Sequence, residues 1–522
     1  MEMSSINHCT IRNIGEHAVR VSILLVLLSL VAVNLQAQTY YVATTGSDSA
    51  AGTFEEPFRT ITKAHSVATV PGTTIYVRGG SYAYSTTIVL SRIGTSDNMF
   101  KLHAYPGERV FLDFSSMPVA DANRGIRITG RYWHVKGFDI WKAGDNGMHI
   151  SGSFNIVENC SFSENYDTGL QLSGNASYNN IINCDSYFNA DIGQGNADGF
   201  APKLDVGTGN YFYGCRAWQN SDDGWDGYLR PADNVTTTLE NCWVFHNGYL
   251  KSGAPSVGNG NGFKMGGGDN TNADSLRHNM ILINCLAFDN RVKGYDQNNN
   301  RGSMTLLNCT AYRNGTNYQI SSPIKSGSTL TVKNCVSLGF YGSLGSFAIQ
   351  ATNSWMSPFV VNDADFISLD TTGMRGPRQA DGSLPILPFM RLAQGSDLID
   401  AGTNVGLPFN GTAPDLGCFE SDYPTSVRYA IDMPAAFKLE QNYPNPFNPV
   451  TTIAFTVDRT QPAMLEVFNA LGQKVATVFD RLAVSGTRYE LKFEASHLSS
   501  GMYFYTLSSG NNKEMKKLML LK

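Results

Sequence analysis

Three aspartates crowd into the segment Asn220-Ser221-Asp222-Asp223-Gly224-Trp225-Asp226, and a fourth, Asp198, precedes the glycine of a similar segment, Asn196-Ala197-Asp198-Gly199-Phe200. Lys264 follows in a third, Gly262-Phe263-Lys264. One aspartate beside a glycine reads as a solvated turn. Four carboxylates drawn together do not, because two unit charges 4 Å apart repel by about 4 kcal/mol at an effective dielectric of about 20. Such a group needs a cation, and oxygen donors at this density suit Ca2+, which takes six to eight hard oxygen ligands. The amine of Lys264 has two uses in that setting. It can be a structural ion-pair partner for Asp226 or Asp296, or, once neutral, a base that removes a proton.

What could bring these residues together is a repeat. The dipeptides Asn159-Cys160, Asn183-Cys184, Gly214-Cys215, Asn241-Cys242, Asn284-Cys285, Asn308-Cys309 and Asn334-Cys335 recur at spacings of 24 to 43 residues. In all but the last an Asn follows five residues after the Cys: Asn165, Asn189, Asn220, Asn247, Asn290 and Asn314. A fixed period with one supersecondary unit per repeat is the signature of a solenoid. Each unit has a short apolar run, such as Ile156-Val157 or Ile281-Leu282-Ile283, and a second run of the form Gly, apolar, any residue, apolar. Runs this short and this punctuated read as strands of a parallel β-helix, two per coil.

Side chains alternate along a strand, so the residue between the two apolar ones faces outward, toward solvent. That gives a column of Arg127, His149, Gln171, Ala201, Asp226, Lys264, Asp296 and Gln319, with about 4.8 Å between rungs. The residues before each glycine form a companion column in which Asp198 and Asp223 fall on consecutive coils. Four carboxylates then converge on one lysine. Lys203, Arg230, Lys251 and Lys293 lie near the same centre in this alignment and could bind an anionic substrate.

With those residues in place, the chain resembles polysaccharide lyase family 9, the pectate lyases and related enzymes built on a right-handed parallel β-helix. The matching segments are Asn196 to Phe200, Cys215 to Trp218 with Asn220 to Asp226, Gly258 to Lys264, and Gly294 to Asn300. The resemblance spans most of residues 39 to 350. It implies calcium binding by Asp198, Asp222, Asp223 and Asp226 and a catalytic lysine at Lys264. It also implies β-elimination of a pectate- or polygalacturonate-like polyuronate, with homogalacturonan and rhamnogalacturonan both open as backbones. An alkaline optimum is expected, since a lysine near its reference pKa of about 10.4 is almost wholly protonated at neutral pH. Two rivals remain. Adjacent Asp222 and Asp223 could serve glycoside hydrolysis, although the Gly-His-Gly and Arg-Ile-Lys segments of polygalacturonases are missing from the helix region. A non-catalytic glycan-binding or adhesin helix is the other, because a fold does not fix an activity.

The rest of the chain sets the context. At 522 residues it exceeds one compact domain, and 51 glycines, 24 tyrosines and 16% charged residues fit an all-β protein. A net charge of -5 offers nucleic acid no basic surface. Arg12 and Arg20, the apolar run Val21 to Val33 and Leu35-Gln36-Ala37 read as an export signal over 1–37, too short to favour a membrane span. The catalytic β-helix, with an N-terminal cap and a short helix around Ile61 to Ala68, is expected over 38–422 and a linker over 423–436. Seven of nine cysteines share one register, which suggests a column of buried free thiols. Residues 437–522, with Asn442-Tyr443-Pro444-Asn445-Pro446-Phe447 and alternating runs, read as a small β-sandwich that resembles the C-terminal sorting domain of the type IX secretion system. The resemblance implies passage to that machinery and export through both membranes, with the protein secreted or held at the cell surface; a monomer is expected.

Overall fold

The computed structural model describes residues 37–268, 275–423, 437–458, 461–483, 488–510 and 512–522. Apart from Ala37 and Tyr423, the expected export signal and linker lie outside the described residues. Regular structure is almost entirely β. The exceptions among the described residues are a helix at Ile61–Val67, begun by Thr60, whose side chain accepts from the Lys63 N–H, and a 3-10 turn at Asp363–Asp365. Among the described residues no helix is long and apolar enough to cross a membrane. The chain forms two compact units, one ending at Gly302 and the other comprising 239–241, 280–288 and 303–522.

In the first unit a representative coil runs through strands Ile156–Glu158, Ser161–Ser163 and Leu170–Leu172. The next coil pairs with it in parallel through Asn180–Ile182, Asp185–Tyr187 and Phe200–Pro202. Coils therefore carry three strands where the sequence reading expects two. The missed strand begins right after each Asn-Cys dipeptide. Asn159, Asn183 and Asn241 have φ between 51° and 54°, and Gly214 has φ 62°. That left-handed conformation, open to Asn and Gly, turns the chain between two strands that look like one apolar run. The cysteines after it are buried, and the thiols of Cys184, Cys215 and Cys242 donate to carbonyls of the coil before, as Cys215 does to Ile181 at 3.4 Å.

The second unit repeats the parallel arrangement, with Met304–Leu307, Leu330–Lys333 and Ile349–Ala351 in one sheet and Thr310–Tyr312 beside Val336–Leu338 in another. Its C-terminal part is antiparallel. A three-stranded sheet (Lys438–Leu439, Val450–Thr456, Tyr489–Glu494) and a four-stranded sheet (Lys474–Ala483, Gln461–Asn469, Gly501–Ser509, Asn512–Leu520) share one apolar core built on residues such as Ile453, Phe455, Leu465, Val467 and Tyr505.

The sheet that bears the aspartates stacks eight strands in the first unit, from Ile88–Leu90 to Lys293–Asp296. Its inward side holds an aromatic spine. Phe200, Trp225, Phe263 and Tyr295 occupy consecutive rungs with ring centroids 4.6, 5.3 and 5.2 Å apart. Each ring is almost fully buried, so the rung above it can slide neither along nor off the sheet.

A ladder of buried asparagine amides fixes the turn leading into this sheet. The side-chain amide of Asn165 donates to Asn189, Asn189 to Asn220, Asn220 to Asn247 and Asn247 to Asn290, at 2.8 to 3.0 Å. Asn220 stands two residues before Asp222, so the ladder holds the acidic turn. Replacing Asn220 with Ala would strand the backbone N–H of Asn189, which donates to its oxygen, and take one acceptor from the Asn189 amide, which keeps Ser186 Oγ at 3.0 Å. Leaving such a donor buried and unpaired costs about 1–3 kcal/mol. Asn220→Ala should therefore lower stability by about 1–3 kcal/mol in chemical denaturation, whereas an exposed change such as Lys251→Ala stays within about 0.5 kcal/mol.

Candidate functional site

Strand register places the site. Phe200 lies opposite Trp225, Asp226 opposite Lys264, and Lys264 opposite Asp296. The companion column also runs in order: Gly169 N–H donates to the Asp198 carbonyl, Gly199 to Asp223, Gly224 to Asn261 and Gly262 to Lys293. Glycine is required at these points by close approach. A Cβ on Gly224 would meet the Gly262 carbonyl at 2.8 Å, and one on Gly258 would meet the Ser221 carbonyl at 2.4 Å.

The outward column differs from the expectation in its middle: Arg127 is exposed and Gln319 half-buried, but His149, Gln171, Asp226, Lys264 and Asp296 are all buried and Ala201 is inaccessible. Polar side chains on this face bond to one another along and across rungs. Asn146 donates to Gln171 at 3.3 Å, His149 Nε2 lies 2.7 Å from Ser173 Oγ, and Lys203 donates to Asp198 at 2.8 Å. The face is a paved polar floor, and burial pushes His149 down to about 4, so it is a neutral structural member of it.

Asp198, Asp222 and Asp223 come together so that one carboxylate oxygen from each lies within 4.8 Å of the others. Two oxygens on one Ca2+ at 2.3–2.6 Å can be no more than about 5 Å apart, so the spacing fits a shared ion. Backbone amides hold the three in place. Asn259 N–H donates to Asp222 Oδ1, Asn261 N–H to Asp223 Oδ1 at 2.7 Å, and Asp223 N–H to Asp198 Oδ1 at 3.2 Å. Among the described residues the buried side-chain oxygen of Asn261 accepts no hydrogen bond, and Asp223 Oδ2 meets only the Lys264 ammonium, a donor set suited to a hard cation.

Asp226 lies beside this trio, turned to two lysines. Its Oδ1 is 3.2 Å from Lys264 Nζ and its Oδ2 is 3.6 Å from Lys203 Nζ. Lys264 also approaches Asp223 Oδ2 at 3.1 Å. Behind Asp226, the buried His278 ring has Nδ1 2.8 Å from the Gly227 carbonyl and Nε2 2.8 Å from Thr237 Oγ1, which fixes the turn after the strand.

Electrostatics follow from this crowding. Burial and neighbouring carboxylates push Asp222 up to about 9 and Asp198 to about 7. Burial likewise raises Asp223, to about 6, with the Lys264 ammonium pulling the other way. Asp226 is also buried, but Lys264 and Lys203 outweigh that and hold it below the usual carboxylate range. Burial would lower the Lys264 amine, yet Asp226, Asp223, Asp198 and Asp222 together hold it well above its ordinary value. The same contest, with Asp198 and Asp226 as the leading charges, raises Lys203.

The candidate substrate-binding residues part company. Lys203 is buried inside the cluster. Lys293 is half-buried and pairs with Asp296 at 2.9 Å, next to Lys264. Arg230 is exposed and lies over the Tyr228 ring. Lys251 is exposed and pairs with Glu164 at 2.6 Å. Asn261 was missed by the sequence reading, although its place before Gly262, in the column of Asp198 and Asp223, was the available signal.

Comparison with known proteins finds relatives of both parts of the chain. Residues 40–334 match the family model described as Pel9A-like, right handed beta helix region, and residues 441–521 match the secretion system C-terminal sorting domain. Pectate lyase L of Dickeya chrysanthemi is 39% identical over 394 residues, covering 73% of this chain and 90% of that protein. Among solved structures, pectate lyase Pel9A superposes with a TM-score of 0.68 at 38% identity, covering 74% of this chain and 96% of its own. A rhamnogalacturonan lyase gives a TM-score of 0.60 at 27% identity, covering 69% of this chain and 97% of its own.

Proposed function

Because the chain belongs to the Pel9A-like right-handed β-helix family, a polysaccharide lyase exported by way of a type IX sorting domain, we propose that it cleaves pectate-like polyuronate by calcium-dependent β-elimination with Lys264 as the base. The observation that carries this reading is the position of Lys264 Nζ, 3.1 Å from Asp223 and 3.2 Å from Asp226, at the edge of a three-carboxylate cradle. Asp198, Asp222 and Asp223 would hold the ion, with Asp226 alongside. Calcium bound there supplies positive charge against the sugar carboxylate next to the carbon that loses its proton.

The chain's own residues do the rest. Phe263 and Met265, buried on the inward side, aim Lys264 outward at the rung above Asp226. A neutral Lys264 amine accepts the α-proton, and the electron pair left on carbon forms the double bond as the glycosidic oxygen departs. Aspartate charge opposes loss of the lysine proton, so turnover depends on that charge being engaged elsewhere, and activity rises into alkaline pH. Lys293, next to Lys264 and half-buried, is placed to meet an anionic sugar, as is the exposed Arg230 at the end of the Asp226 segment.

A rhamnogalacturonan backbone is the second reading, favoured by the 27% identical neighbour. One assay tests both. Purified protein is incubated with polygalacturonate or rhamnogalacturonan, with and without a calcium chelator, and the ultraviolet absorbance of unsaturated ends is followed. The expected result is chelator-sensitive absorbance on polygalacturonate. Reducing ends without absorbance would mean a hydrolase, and silence on both polymers would mean a binding protein.

A further inference from the structure

We propose that Lys203 is a displaceable counter-cation of the carboxylate cradle: it neutralises Asp198 and Asp226 while no divalent ion is bound and turns to a substrate carboxylate once the ion takes them over. This rests on the calcium-lyase reading of the same site. Lys203 is 6% exposed, and its Nζ lies 2.8 Å from Asp198 Oδ2 and 3.6 Å from Asp226 Oδ2. An ammonium on a flexible four-carbon stem can be released from such a pair by rotation of the side chain alone.

The local sequence is built for that movement. Lys203 follows strand Phe200–Pro202, two residues after Ala201. Ala201 occupies the outward column where neighbouring rungs carry Gln171 and, beyond, Asp226. Its methyl leaves room for the lysine stem to lie back across the rung to Asp198. The backbone does not need to move, since Lys203 N–H donates to Leu172 at 3.1 Å and the Lys203 carbonyl accepts from Val206 at 3.2 Å. Nor does Asp198 depend on the lysine for its orientation. Thr168 Oγ1 donates to its Oδ2 at 3.2 Å, and its Oδ1 accepts from Asp223 N–H at 3.2 Å.

Competition for one carboxylate points the same way. Four carboxylates facing two ammoniums give the cradle the negative charge that draws in a divalent ion, and a substrate carboxylate arriving beside that ion offers the Lys203 ammonium a new partner. The incoming ion and the Lys203 ammonium are both drawn to the Asp198 carboxylate, and like charges at such distances repel strongly. The ammonium therefore works against calcium in the empty cradle and becomes available to an anionic sugar when the cradle is filled. Binding of ion and substrate is coupled through one side chain.

The test uses the full chain with Lys203→Met, which keeps the stem and removes the charge, Lys203→Gln as a second neutral variant, and Lys203→Arg as the charge-keeping control. Calcium affinity is measured by titration calorimetry without substrate, and KM and kcat on polygalacturonate at saturating calcium. The expected result is opposite signs: calcium binds about tenfold tighter to the neutral variants, while KM rises about tenfold and more than kcat falls. Lys203→Arg, which keeps the charge, should lack the tighter calcium binding of the neutral variants. If the neutral variants bind calcium equally or more weakly, or if KM does not move, the inference is overturned and Lys203 is a structural ion pair. A wild-type protein that takes up no calcium at all would instead overturn the reading beneath it.

Discussion

Lys264→Arg is expected to leave a folded protein that still responds to calcium but whose kcat on polygalacturonate is lower by about 10^2–10^4, the usual contribution of a positioned base. Arginine is the informative replacement because its guanidinium stays charged at any accessible pH and so cannot accept the proton. It keeps a cation beside Asp223 and Asp226, the two carboxylates that Lys264 approaches within 3.2 Å, and spares the site an uncompensated negative cluster. Lys264→Ala would lose turnover too, but it would also leave both aspartates without that ammonium, and the two causes could not be separated. The wild-type rate should climb with pH as the lysine deprotonates, whereas the residual rate of the Arg variant should lack that limb. A Lys264→Arg enzyme within tenfold of wild type would show that the lysine is an ion-pair partner and that the base lies elsewhere.

Much of this site is legible in the sequence because a solenoid converts spacing into proximity. Once Gly224-Trp225-Asp226 and Gly262-Phe263-Lys264 are aligned as equivalent strands, the pairing of Asp226 with Lys264 follows, and the structure has that register. The repeating Asn was visible as well, although its role as a hydrogen-bonded ladder depends on side-chain direction, which a period does not specify. Two features were hidden for physical reasons. The third strand of each coil was masked because one residue in left-handed conformation suffices to turn the chain, and Asn159 or Asn183 looks no different from any polar residue between apolar ones. The depth of the outward face was masked because alternation tells which way a side chain points and not what covers it. The spacing thus suggests a groove cation at Lys203, whose ammonium is instead buried between Asp198 and Asp226.

That burial leads to the second large effect: without calcium the protein should lose thermal stability as pH rises from about 5 to 9, and calcium should restore it increasingly over the same range. Asp223, Asp198 and Asp222 are raised to about 6, 7 and 9 in the folded, metal-free chain, against about 3.9 when unfolded. Between the unfolded and folded values the native state holds more protons than the unfolded state, so stability falls with increasing pH. Asp226 has the opposite sign, since its folded value is lowered and its contribution is lost only on acidification. Lys203 and Lys264, both raised, keep their contributions until pH passes the unfolded lysine value near 10.4. Other groups also titrate in the window. Asp145 and Glu420, raised to about 7 and 8, act in the same direction as the cluster. His103, His149 and His278, lowered to about 3, 4 and 4, favour stability above about 6.5. None of these belongs to the cradle, so the difference in apparent Tm between calcium-loaded and chelated protein removes them. That difference should grow from near zero at pH 5 to a stabilisation on the order of 5 kcal/mol at pH 9. Asp222→Asn, which stays neutral at every pH, should flatten the metal-free decline. If the calcium-dependent difference is the same at pH 5 and pH 9, then protons do not stand in for the cation in the empty cradle, and the four aspartates are not working as one charged site.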